Sequence, residues 1–240
     1  MPDHFLRRCA LLLLAAALVA PAAAQDEEST RLLRQPTVSQ NHIVFVHAGE
    51  LWRVGHNGGD AERLTSFRGV ASHPRLSPDG EHVAFSGNYK GQTDVYVVPI
   101  EGGTPERLTW HPSSDEVQGW APDGSHVLFT SGRDSAPAAY DRFWTVSPDG
   151  GKPTALQVPR AHVGRYGPEG ERMVYQPIER WQSHWRGYRG GQVHPLWIIS
   201  LDDYGVTEIP FEGGIDTRPF WVGDTVYFIS DRTDMVRNVH

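Results

Sequence analysis

Cysteine is nearly absent, since Cys9 is the only one in 240 residues. It lies in a segment that reads as an address, so a mature chain holds no disulfide, no thiol nucleophile and no cysteine-ligated metal. Long apolar runs are missing too. The one candidate, Cys9 to Ala20, has about twelve residues where a membrane span needs roughly 20. A basic tract is also lacking. The whole chain carries a net charge of −7, which argues against nucleic acid and anionic membrane as partners. No stretch beyond the first residues combines helix caps with 3.6-residue periodicity.

What is present begins with Arg7 and Arg8, the short apolar run, and then Pro21-Ala22-Ala23-Ala24. A basic start, an apolar middle and an Ala-x-Ala end make a secretory signal peptide over residues 1–24, cut after Ala24. Cys9 precedes the apolar run, which excludes a lipoprotein signal. Cleavage leaves 20 basic against 28 acidic side chains, a net −8. The expected compartment is the periplasm, with no membrane attachment once the signal is removed. Residues 25–34, with Asp26-Glu27-Glu28, read as a solvated tail. The roughly 216 residues that remain are enough to bury a core without disulfides.

An internal repeat organises those residues. Ser77-Pro78-Asp79-Gly80 returns as Ala121-Pro122-Asp123-Gly124 and as Gly167-Pro168-Glu169-Gly170, at steps of 44 and 46 residues. Gly58-Gly59, Gly102-Gly103 and Gly150-Gly151 keep the same rhythm, and Arg63-Leu64-Thr65 recurs 44 residues later as Arg107-Leu108-Thr109. Within one period, Pro78-Asp79-Gly80 is turn chemistry. His82 to Ser86 alternates like a half-buried strand, and Asp94 to Val98 is β-branched and aromatic. Glu106-Arg107-Leu108-Thr109 is a short polar strand suited to an exposed rim.

Four antiparallel strands repeated at this spacing predict an all-β fold, a β-propeller. The predicted propeller occupies residues 35–240, with blades at about 35–66, 67–109, 110–158, 159–210 and 211–240. The last holds only Thr217 to Trp221 and Val226 to Ile229, giving four complete blades plus half of a fifth. Leu32 to Pro36 either completes that last blade or the chain is a piece of a longer protein; the second is the expectation. Blade four carries a long insertion, Gln176 to Pro195.

The blades resemble PD40 (WD40-like) repeats and, more closely, the N-terminal propeller of tricorn-type proteases. Carrying that resemblance are Ile43-Val44-Phe45-Val46 with Gly49-Glu50-Leu51-Trp52, Thr93 to Pro99 with Glu101-Gly102-Gly103, and Gly119 to Gly124. More specific are Trp185-Arg186-Gly187-Tyr188-Arg189-Gly190-Gly191 and Tyr227-Phe228-Ile229-Ser230-Asp231-Arg232. The resemblance implies a six-bladed ring, followed by a second propeller and a catalytic region of the tail-specific serine peptidase kind, with a PDZ-like module. It implies a non-catalytic scaffold that controls peptide access or exit. Its partners would be peptides and the downstream catalytic domains of the same polypeptide. The alternative is a freestanding periplasmic propeller similar to TolB, binding a protein or glycan. Assembly with further copies of the chain stays open.

No catalytic residue is legible. There is no Gly-x-Ser-x-Gly elbow, and abundant Ser, His and Asp do not make a triad without geometry. No His-Glu-x-x-His occurs, the eleven histidines after the signal lack ligand spacing, and nothing implies a metal or cofactor. Asp202-Asp203 reads as a solvated turn. Asp115 and Glu116 suit a glycosidase only at a separation that sequence does not supply. The candidate binding residues are Trp181, Trp185, Arg186, Tyr188 and Arg189, an aromatic and basic cluster on the blade-four insertion. The alternative for these side chains is packing of the loop onto its own blade or a neighbouring domain.

Overall fold

Each period of the repeat folds as an antiparallel meander whose strands lie in chain order from the axis to the rim. The computed structural model describes residues 32–66, 68–135, 140–179, 190–191 and 193–240. Leu33–His240 is one compact unit; of the other, Met1–Leu32, only Leu32 is described. Blade one comprises β1 (Arg34–Val38), β2 (His42–His47), β3 (Glu50–Gly55) and β4 (Glu62–Arg63). Blade two comprises β5 (Val70–Leu76), β6 (His82–Asn88), β7 (Thr93–Pro99) and β8 (Glu106–Arg107). Blade three comprises β9 (Asp115–Trp120), β10 (Val127–Ser131), β11 (Arg142–Val146) and β12 (Thr154–Ala155). Blade four comprises β13 (Val163–Tyr166), β14 (Arg172–Gln176), β15 (Trp197–Ser200) and β16 (Val206–Glu208). No helix occurs among the described residues.

One expectation about the chain ends is revised, and one alternative is set aside. The fifth blade has three strands, not two: β17 (Thr217–Val222), β18 (Thr225–Ser230) and β19 (Asn238–Val239). In β19, Val239 pairs with Ile229 and Asn238 with Ser230. Two residues are too few to show a period-2 pattern, so the strand had no sequence signature. At the other end, Arg34–Val38 pairs with β2 as the first strand of its own blade and does not complete blade five.

Alternation along each second strand sends side chains into two different cores. Val83 and Phe85 of β6 pack with Val44, Leu51 and Tyr96 between blades one and two. The residue between them, Ala84, packs with Val95, Val127 and Phe129 between blades two and three. Leu128 turns the other way, onto Phe143, Met173 and Tyr175. Phe85, Phe129 and Phe143 are fully buried, each contributing about 1.5–3 kcal/mol by leaving water. A blade therefore lacks a core until its neighbour supplies one.

The repeated sequence markers have structural reasons. Gly80, Gly124 and Gly170 hold φ of +76°, +74° and +81°, the left-handed turn value that glycine tolerates without penalty. The Thr65 hydroxyl accepts the Leu51 N–H at 2.9 Å, and the Thr109 hydroxyl accepts the Val95 N–H at the same distance. Each threonine ties the rim strand back to the third strand, while Leu64 and Leu108 beside them are buried.

Candidate functional site

The first strands of neighbouring blades run side by side around the axis, and four of the five carry a bulge. Between Arg34 and Thr37, Ser72 and Arg75, and Thr217 and Phe220, the first strand holds one residue more than its partner. Each of these bulges contains a residue before proline in the left-handed region: Gln35 at φ +52°, His73 at +51° and Arg218 at +53°. In β9 the extra residue is Gln118, between the Val117–Phe129 and Gly119–Leu128 pairs. A bulge reverses which way the following side chains face and re-aims them.

Cations gather where these strands meet. Arg75 donates from Nε to the Gln118 carbonyl oxygen at 2.9 Å, and from Nη1 to its own neighbour, the Pro74 carbonyl, at 2.7 Å. From the other side, Arg165 donates from Nη1 to the Gly164 carbonyl at 2.8 Å and to Gln118 Oε1 at 3.5 Å. The Gln118 amide is itself fixed, donating to Thr130 Oγ1 at 3.1 Å. Trp120 Nε1 donates to the Arg75 carbonyl at 2.9 Å, and the Gln35 side chain accepts the His73 N–H at 2.9 Å. Blades one to four are thus joined through their first strands.

The electrostatics of this cluster are one-sided. Burial first, and then Arg218, lower Arg75 to about 10. Burial and Arg75 hold Arg165 well below the ordinary arginine range. His73 falls to about 4, mainly through burial and then through Arg75, Arg165, Arg218 and His162. At neutral pH the arginines stay charged and His73 is neutral, its buried Nδ1 without a hydrogen-bond partner among the described residues. Burial raises Glu116, whose main charged neighbours are His162, Asp141 and Glu179; Asp141 lies 3.8 Å from His162.

Trp181, Trp185, Arg186, Tyr188 and Arg189, the candidates from sequence, lie outside the described residues. Asp115 is fully buried and paired with Arg133, whereas its strand neighbour Glu116 points to the opposite face. Asp203 sits in a turn and accepts the Gly205 N–H at 2.9 Å. Sequence reasoning missed Arg75 and Arg165, although a signal was available. Each stands two residues before a turn marker, Ser77 and Gly167, and Gly119 occupies the same phase before Ala121.

Comparison with known proteins decides the family. The family described as the tricorn protease N-terminal β-propeller domain matches residues 30–240. The chain belongs to that family. It is 34% identical over 210 residues to tricorn protease homolog 1 of Streptomyces coelicolor, covering 83% of this chain and 19% of that protein. It thus spans about a fifth of the length of the curated relatives it matches. Among solved structures, the tricorn protease superposes with a TM-score of 0.72 at 24% identity, over 87% of this chain and 21% of that one. A TolB-like propeller from Agrobacterium tumefaciens superposes at 0.66 and 23% identity, over 83% and 70% of the two chains. At those identities the structural likenesses speak for the propeller fold alone.

Proposed function

We propose that this chain is the non-catalytic N-terminal propeller of an exported tricorn-like serine peptidase, acting as a scaffold for peptide access or exit. The family match across residues 30–240 carries the reading. The relatives that it matches are several times longer and are named as proteases, which supports catalytic domains on the same polypeptide. The signal-like first 24 residues support export to the periplasm. A sixth blade is part of the proposal. Phe220, Val222, Tyr227 and Val239 of blade five are each at least one-third exposed, as expected of a face that a further blade would cover.

An antibody against the blades, used on an extract of the native cells, tests the reading. A band several times heavier than the 26.8 kDa of this chain is the expected result. The purified chain should hydrolyse no peptide. A native band at the size of the signal-cleaved chain would favour a freestanding TolB-like binding propeller instead.

A further inference from the structure

We propose that Arg75, Arg165 and Gln118 form a binding site for a small oxyanion, a carboxylate or a phosphate group, on the propeller axis. The site needs only the first strands of blades two to four and does not rest on the peptidase reading.

The two arginines hold donors that no protein acceptor among the described residues meets. A guanidinium offers five N–H groups in a rigid fork. Arg165 uses only Nη1, on the Gly164 carbonyl and Gln118 Oε1. Its Nε and Nη2, the edge whose parallel N–H bonds match a carboxylate or phosphate, have no partner among the described residues. Arg75 uses Nε and Nη1, leaving Nη2 in the same condition. Neither arginine has a carboxylate within ion-pair distance among the described residues, unlike Arg53, Arg107, Arg133 and Arg232 of this chain. The charges acting on the pair are those of other arginines.

The positions are also built. Backbone carbonyls and Gln118 hold both guanidiniums, so little side-chain freedom remains to be lost when an anion arrives. Blade three places Gly119 at the phase where blades two and four place the arginines, and a Cβ there would stand 3.7 Å from Arg165 Cδ. A larger residue at that phase would crowd the Arg165 side chain. Two like charges are thereby held close in a chain of net charge −7; an oxyanion between them relieves their repulsion.

Thermal unfolding of the full chain at pH 7.5 and fixed ionic strength tests this, with inorganic phosphate and acetate compared against chloride. A saturable rise in Tm with phosphate or acetate, absent with chloride, is expected. Phosphate alone marks a tetrahedral anion site, and a response to both marks a carboxylate-competent one. The Arg75→Gln/Arg165→Gln double variant should unfold cooperatively and lose the saturable rise. Should that variant not fold, Arg165→Lys keeps the charge but not the fork and should weaken anion affinity by about tenfold. Identical curves in all three anions, or an undiminished phosphate response in whichever variant folds, would overturn the site.

Discussion

The Trp120 indole donates its N–H across a blade boundary to the Arg75 carbonyl, at 2.9 Å. The bond joins the first strand of blade three to that of blade two. It also anchors the backbone of an arginine whose side chain returns to Gln118 in blade three. Blades two and three are therefore laced in both directions.

Trp120→Phe removes the donor and keeps an aromatic ring. The half-buried Arg75 carbonyl then loses its partner, a cost of about 1 kcal/mol. For a chain of this size, that corresponds to a fall in Tm of about 2–4 °C. Differential scanning calorimetry of the two proteins measures it.

A larger loss is expected at Arg133. It donates to Asp115, which is fully buried, and lies over the rings of Phe129 and Trp144, 5.2 Å from each centroid. The arrangement recurs in blade five, where Arg232 donates to Asp216 at 2.7 Å and lies 4.9 Å from the Phe228 ring. Arg133→Leu leaves a buried carboxylate uncompensated, at about 3–5 kcal/mol. Urea unfolding should show a lower midpoint, and adding Asp115→Leu should recover part of the loss.

At Gly164 the penalty is steric. A Cβ there would lie 2.4 Å from Phe143 Cζ, 2.8 Å from Tyr175 Cβ and 3.0 Å from the Val174 carbonyl oxygen. Two of those three atoms belong to packed rings' residues and one to backbone, so nothing flexible yields. Gly164→Ala should destabilise by about 1–3 kcal/mol, with the near-ultraviolet circular dichroism of the Phe143–Tyr175 contact altered.

Acid should weaken the fold through His73. Its pKa falls to about 4 in the folded chain, against 6.5 for the free side chain. Between those values the unfolded chain binds more protons, so stability falls as pH drops through the window and levels off above pH 6.5. The group is half-buried, and the contribution is about 2 kcal/mol after solvent screening. Denaturant midpoints from pH 4 to 7 should rise less steeply in His73→Gln than in the parent chain.

The blade pattern was legible because its signals are local. Pro78-Asp79-Gly80 marks a turn by its own backbone preferences, and the alternation of Val83, Ala84 and Phe85 marks a strand whose faces enter different cores. Even the Arg-Leu-Thr marker has a short-range cause, the threonine bond back to the preceding strand. Asn238–Val239 escaped notice because two residues carry no period. The candidate site was harder still. The aromatic cluster at Trp185 drew attention by composition, whereas Arg75 and Arg165 look like ordinary surface cations.

From sequence alone, the repeat period determined the propeller and the order of strands within each blade, since turns and alternation act over a few residues. Tertiary structure alone decided that Arg75 and Arg165 meet on Gln118, which lies 43 residues from one and 47 from the other. That meeting depends on the added residue in β5, which re-aims Arg75 after it, on Gln118 being itself the added residue of β9, and on the stacking of successive blades. The stacking of blades is a physical constraint that no single repeat contains.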